Sequence, residues 1–330
     1  MNTLLVILLA SILGAPAAAQ LDLEINVGSH HKLVECRHGT FIINKKDTWI
    51  GRSLDIYGEW SETEIALVAD FIEEGDIVAD VGANIGSFTI PMAKRVGPSG
   101  KVVAFEAQRV PSQLLSANLV LNELTNVGVY NAGVGNSDSP LEVPDIIYSD
   151  EANFGSLSLL VDWKSHGAST TLVPQVKLDD VFADQCPSFV KIDVEGMELM
   201  VLSGAAQMLS SCPILPVLYI ENNCKKGSKE LIEFVSKTGY TCHWVVAPYF
   251  SSANFRGNEA NIFPETANSI NMVCFSSSDP TSSEKAKNLP SATRIDVASR
   301  RYLLHEYALN YNGGDGTILS QLGTMDSCER

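Results

Sequence analysis

The sequence is poor in basic residues. Lys and Arg total 23 against 39 Asp and Glu, a formal net charge of −16 over 330 residues. A surface of that sign repels phosphate backbones, which argues against nucleic acid as a partner. No basic cluster offsets it; the dense spots are only the pairs Lys45-Lys46, Lys225-Lys226 and Arg300-Arg301. The seven cysteines (Cys36, Cys186, Cys212, Cys224, Cys242, Cys274 and Cys328) contain no CxxC pair and no zinc-like spacing. No apolar run reaches the roughly 20 residues of a comfortable membrane span, and no internal repeat is visible. What is present, 45% hydrophobic and 19% charged residues, is an ordinary globular composition. That excludes a wholly disordered chain, a collagen and a coiled-coil rod. The length fits two units of about 150 residues or one α/β domain with extensions.

Leu4 to Leu13 is an apolar run closed by Gly14, Ala15, Pro16 and three alanines, Ala17 to Ala19. It reads as a secretory signal peptide cut near Ala19, although Met1-Asn2-Thr3 carries no Lys or Arg. If that leader acts, the chain enters a secretory lumen; otherwise it is cytoplasmic. The cysteines inside apolar runs read as buried thiols. An exported chain could form one or two disulfides, with the pairing left open and at least one thiol unpaired.

We divide the chain into a leader (1–20), a β-rich lead-in with a helix (21–75), an α/β domain (76–278) and a linker with tail (279–330). In the lead-in, His38-Gly39 reads as a hairpin turn with Thr40 to Ile43 leaving it as a strand. Residues 61–73 carry apolar positions at helical spacing, with Ser61 as N-cap and Glu64 completing a capping box. From residue 77 onward, strands alternate with helices. The strands are 77–81, 102–105, 127–130, 189–192 and 217–220, and the helices 87–95, 111–122, 197–209 and 228–238. Residues 242–246 and 272–275 supply two further strands. This alternation predicts a doubly wound, mostly parallel sheet covered on both faces. A linker is read over 276–300 and a short helix over 301–309.

The chemistry-bearing stretch is Asp80-Val81-Gly82-Ala83-Asn84-Ile85-Gly86, between a strand and a helix. Its glycines let the backbone turn tightly and a ligand approach the main chain. Glu106 ends the next strand, where a carboxylate can accept both hydroxyls of a ribose. The spacing is not G-x-G-x-x-G, and Asp80 sits badly beside a pyrophosphate. It suits a ligand with a cationic amine and no phosphate, such as S-adenosylmethionine, over NAD. A second cluster, Lys191-Ile192-Asp193-Val194-Glu195-Gly196, falls at the end of a later strand, where open α/β sheets bind ligands. Lys191 and Asp193 share one strand face. A third, Glu221-Asn222-Asn223, ends the fifth strand and suits a pocket wall or a plain turn.

These residues resemble the FkbM-type methyltransferases, a branch of the class I S-adenosylmethionine-dependent family. The resemblance runs from about residue 39 to 276 and takes in Tyr57-Gly58-Glu59-Trp60-Ser61-Glu62, Ile262-Phe263 and Asn271-Met272. It implies a Rossmann-like seven-stranded sheet with the last strand antiparallel. It also implies methyl transfer to oxygen on a sugar, glycan or polyketide-like acceptor. By position, Asp80, Gly82, Asn84 and Gly86 would hold the methionine end, Glu106 the ribose, and Asn131 and Ala132 the adenine side. Asp193, Glu195 and Glu221 match acidic positions near the acceptor.

An alcohol needs its proton accepted during attack. Asp193 is the leading base, Glu195 or Glu221 would orient the hydroxyl, and His243 is an outside candidate. No metal ligand set is predicted; a divalent ion bridging Asp193 and Glu221 is an alternative. A small-molecule or glycan acceptor is expected, with no nucleic acid and no membrane span. The rival readings are a cofactor-binding module without catalysis and an NAD-linked oxidoreductase.

Overall fold

The computed structural model describes residues 25–223, 227–264, 267–279 and 289. The chain enters through a three-stranded antiparallel sheet, β1 (Ile25–Val27), β2 (His31–Cys36) and β3 (Gly39–Asn44). Cys36 pairs with Gly39, so the hairpin turn is Arg37-His38 and Gly39 already opens β3, one residue earlier in the chain than the turn read from sequence. Helices α1 (Ile50–Tyr57) and α2 (Glu62–Ala69) follow.

The central unit begins with β4 (Ile77–Val81), α3 (Thr89–Val96), β5 (Lys101–Phe105), α4 (Arg109–Leu121) and β6 (Val127–Tyr130). An excursion then forms two small ladders, made of β7 (Gly133–Val134), β8 (Leu141–Pro144), β9 (Thr170–Val173) and β10 (Gln175–Val176). After the single turn α5 (Leu178–Val181) come β11 (Phe189–Ile192), α6 (Glu198–Ser203), α7 (Ala206–Ser211), β12 (Val217–Glu221), α8 (Ser228–Lys237), β13 (Tyr240–Pro248) and β14 (Asn268–Ser276). The helix expected over 197–209 is broken near Gly204, where a Cβ would lie 1.9 Å from the Gly135 carbonyl oxygen.

Seven strands form one sheet in the order β13-β14-β12-β11-β4-β5-β6. All run parallel except β14, the last in the chain, which is antiparallel to both β12 and β13. Near-continuous apolar strands, such as Phe189–Ile192 with every residue buried, are what a sheet covered on both faces requires. One face packs on α6, α7 and α8 through Val201, Leu202, Met208, Ile232 and Val235. The other packs on α2 and α3 through Val68, Met92 and Val96, and on the N-terminal layer through Phe41, Ile43 and Leu115 of α4. There Asn118 of α4 and Asn122 just past its end accept from the Ile42 and Thr40 amides, capping an edge of β3 with side chains. Leu289 is buried with this second cluster, so at that point the segment read as linker touches the core.

Among the described residues there are two disulfides, Cys186–Cys212 and Cys242–Cys274, the second joining directly opposed residues of β13 and β14. Cys36 is a buried free thiol, pushed up to about 12 by burial. The leader, Cys224, Cys328 and the helix expected over 301–309 lie outside the described residues.

Candidate active site

The strand order reverses between β4 and β11: β5 and β6 extend to one side of β4, β11 and β12 to the other. Open α/β sheets leave a crevice at such a switch, above the carboxyl ends of the strands. Here the loops after β4 and β11 meet there. The Gly82 and Ala83 amides donate to the Phe105 carbonyl, and the Asp193 amide donates to the Val81 carbonyl. Gly82 has φ 83°, and a Cβ on it would lie 1.8 Å from the Asp193 carbonyl oxygen. Only glycine combines that dihedral with that approach. Above this contact lies a cavity of about 340 Å³.

One half of the cavity is lined by Gly82, Ala83, Asn84, Glu106, Gln108 and Ala132. Asn84 holds a left-handed φ of 49°, which aims its amide at Glu106 Oε2 over 2.8 Å; the Gln108 amide takes Oε1 at 2.7 Å. Two backbone donors therefore fix the carboxylate plane and leave its outer lone pairs for a diol. Burial lifts Glu106 to about 7, against those donors. Gln108 also donates to the Phe154 carbonyl (2.9 Å) and accepts from the Tyr148 hydroxyl (3.0 Å), tying the 148–154 segment over this half.

Three residues expected at the cofactor do not line the cavity. Asp80 is fully buried behind the loop, where it accepts from the Thr89 hydroxyl (2.7 Å) and pairs with Lys191 at 3.4 Å. Gly86 is a packing glycine: a Cβ there would press on Leu115 at 2.8 Å. Asn131 is exposed and donates to the Glu106 and Ala107 carbonyls, bracing the end of β5. His243 lies on β13, buried edge-on to Phe275, and lines no described cavity.

The other half brings Asp193, Glu195 and Glu221 together, with one carboxylate oxygen from each within 4.8 Å of the others. That spacing suits either a shared hydroxyl or a divalent ion. Lys191 is buried between Asp80 (3.4 Å) and Asp193 (3.3 Å) and lies 5.1 Å from the Phe88 ring centroid. Burial works against its charge, but the two carboxylates prevail and hold its pKa above the ordinary value. Glu221 is pushed up to about 9, first by burial and then by the charges of Asp193, Glu195 and Glu198. The protonated form is thereby favoured, and in it Glu221 can donate as well as accept.

Trp49, Trp60, Phe88 and Tyr249 complete this half. Trp60 and Tyr249 stack at 5.0 Å with planes 20° apart, and Trp49 meets Tyr249 edge-on at 5.2 Å. Tyr249 arrives on the 249–263 loop, which Tyr57 and Glu59 pin. The Tyr57 hydroxyl donates to Ala260 O and accepts from the Ile262 amide, both at 2.8 Å. Glu59 accepts from the Phe255 amide at 2.7 Å and from Arg37 at 2.6 and 2.9 Å. The Tyr57-Gly58-Glu59-Trp60 segment thus both supplies an aromatic wall and anchors the loop that faces it. The expected capping box does not form: Ser61 is left-handed and caps no backbone amide, its Oγ bonding the Glu64 carboxylate, which turns inward to the Tyr219 hydroxyl and the Asn271 amide.

Gln108, Tyr249 and Glu64 were not candidates from sequence. Tyr249 and Gln108 carry no local motif, and the Glu64 spacing matched a commonplace helix start.

A seven-stranded sheet of this order, with a glycine loop and a strand-end acid at its switch point, defines a Rossmann-like methyltransferase fold. The profile of the methyltransferase FkbM domain matches residues 80–242. Residues 80–242 are thus similar to an FkbM-type methyltransferase domain. Methyltransferase sdnD of Sordaria araneosa is 32% identical over 155 residues, covering 38% of this chain and 59% of that protein. The 23S rRNA (uracil(1939)-C(5))-methyltransferase RlmD of Acinetobacter baylyi is 30% identical over 97 residues, 29% of this chain and 19% of that one. The chain therefore spans less than two thirds of the curated relatives it matches. Among solved structures, methyltransferase FkbM of Methylobacillus flagellatus aligns with TM-score 0.38 and 18% identity, covering 61% of this chain and 43% of that chain.

Proposed function

We infer that the protein methylates a hydroxyl on a small-molecule or glycan acceptor, using S-adenosylmethionine. One observation carries the reading: a glycine-turn loop with a clamped strand-end acid shares a single cavity with three converging carboxylates. Gly82, Asn84, Glu106 and Ala132 would hold the donor, and the Glu106 carboxylate is oriented for a ribose diol. When bound, S-adenosylmethionine supplies an electrophilic methyl group on a positively charged sulfur.

Asp193, half-exposed at the cavity and tied to Lys191, is the group to take the acceptor proton as the oxygen attacks. Glu221, whose protonated form burial favours, and Glu195 orient that hydroxyl. Lys191 fixes Asp193 in place, a positioning role. Much of the acceleration then comes from holding donor and acceptor in line.

Among the described residues, Lys191 is the single Lys or Arg lining the cavity, against Glu106, Asp193, Glu195 and Glu221. That balance supports a neutral acceptor over a nucleic acid, although the Acinetobacter relative is named for an rRNA. Two disulfides support an oxidising compartment and so a working leader; mass spectrometry of the mature N-terminus tests that. The function is tested by calorimetry with S-adenosylhomocysteine and NAD, followed by acceptor screening with labelled donor. Heat with NAD and none with S-adenosylhomocysteine would overturn the reading. Donor binding without transfer to any acceptor would leave a binding module.

A further inference from the structure

Asp193 and Glu195 stand two residues apart but are anchored to different elements. Asp193 is referenced to the sheet: its amide donates to the Val81 carbonyl at 3.0 Å, and its carboxylate pairs with Lys191 of β11. Glu195 lies beyond the strand, on the turn that leads into α6. There Glu195 and Gly196 hold successive left-handed dihedrals, φ 54° and 107°. Glycine adopts that region freely, whereas a glutamate enters it only against the crowding of its Cβ on the following carbonyl. Such a conformation persists where neighbouring contacts impose it. The contact comes from Glu198, the buried first residue of α6. Its Oε1 accepts from the amides of both residues flanking Glu195, Val194 at 3.3 Å and Gly196 at 3.0 Å. One oxygen thus closes the turn around Glu195. The helix that carries it is itself fixed, with Val201 and Leu202 in the core. Glu198 does not line the cavity, but the turn it closes delivers the Glu195 carboxylate to those of Asp193 and Glu221.

Resting on the methyl-transfer reading, we propose that Glu198 is a positioning residue: its carboxylate clamps the 194–196 turn and thereby keeps Glu195 where it orients the acceptor hydroxyl. The clamp needs reach rather than charge. An amide oxygen at the same distance accepts the same two N–H groups. A carboxylate one methylene shorter does not span them from the same backbone position. An acid that merely starts a helix has the opposite requirement. It acts through its charge at the N-terminus, where aspartate serves as well as glutamate.

The test sets Glu198→Gln, which keeps reach and loses charge, against Glu198→Asp, which keeps charge and loses reach. Calorimetric affinity for S-adenosylhomocysteine should be unchanged in both, which also certifies that each is folded. Crystal structures of the loaded full chain should show the turn intact in Glu198→Gln. In Glu198→Asp, residue 195 should leave the left-handed region and its carboxylate should withdraw from Asp193 and Glu221. Thermal melts read the same clamp without any ligand. Glu195→Gly should melt a few degrees above Glu195→Ala, because both lack the carboxylate and only glycine accepts the imposed dihedral. In the Glu198→Asp background that order should reverse. Transfer is measured from tritiated S-adenosylmethionine to a panel of primary and secondary alcohols and methyl glycosides. There kcat should fall about tenfold to a hundredfold in Glu198→Asp and stay within about threefold in Glu198→Gln, as expected for a misplaced orienting group. A displaced turn in Glu198→Gln, an undisturbed one in Glu198→Asp, or the same Gly-over-Ala gap in both backgrounds would overturn the clamp. If the unsubstituted protein methylates nothing in the panel, the methyl-transfer reading fails, while the structures and the melts still decide the role of Glu198.

Discussion

The two halves of the cavity are built by different means. The half we assign to the donor is largely main chain: a glycine loop, two amides clamping one carboxylate, and residues supplied within short stretches after β4, β5 and β6. The acceptor half is side chain, gathered from Trp49 and Trp60, from β11 and β12, and from Tyr249 on a loop pinned by Tyr57 and Glu59. A main-chain cradle tolerates little change and serves one ligand. A side-chain wall can be altered residue by residue, so specificity can vary without disturbing the donor site.

The largest effect should come from the cradle. Gly82→Ala puts a methyl group into the Asp193 carbonyl at a left-handed dihedral. We expect complete loss of donor binding by calorimetry, with a lowered melting temperature; retained affinity would break the contrast. Next, Asp193→Asn should cut turnover about 10²- to 10⁴-fold, the usual range for a general base, while donor affinity stays unchanged. A parallel loss of affinity would move Asp193 into the donor half. Glu106→Gln should weaken donor binding by roughly tenfold to a hundredfold, in line with about 1.5–3 kcal/mol for hydrogen bonds to a charged group; the acceptor dependence should not move.

Glu221 sharpens the comparison through pH. Its folded pKa, about 9, lies above its ordinary value of 4.5, so the folded state binds the proton more tightly. Stability is therefore greatest below the unfolded value and falls as pH rises toward 9. Glu106, raised to about 7, adds a loss of the same sign over a narrower window. Thermal melts should show a midpoint declining from pH 5 to 9, and Glu221→Gln should flatten that decline. A midpoint rising with pH would refute the assignment. The smallest effect is expected from chelation: EDTA should leave turnover unchanged, and a loss would give the Asp193–Glu195–Glu221 trio to a divalent ion.

This division also governs what could be read from the sequence. The strand-and-helix alternation, and Gly82, Asn84 and Glu106, were legible because each is local: a strand, a turn and an acid follow one another along the chain. Asp80 and Gly86 belong to the same local motif but serve packing and charge balance behind the loop, a distinction only the third dimension makes. Glu64 was read as part of a helix start because spacing alone does not reveal which way a carboxylate turns. Tyr249 had no signal, since its place depends on a loop anchored nearly two hundred residues upstream at Tyr57 and Glu59. The pairing of Cys242 with Cys274 needed the register of β13 on β14.

That register has a consequence for biosynthesis. The strand β14 is inserted between β12 and β13, both made before it. Until residues 268–276 have left the ribosome, β12 keeps an unpaired edge, the kind of template on which nascent chains stick to one another. Asn271, which bonds Glu64 and Tyr219, arrives on that same late strand, so this buried polar network and the protection against aggregation are completed by one insertion. The Cys242–Cys274 bond then staples it shut.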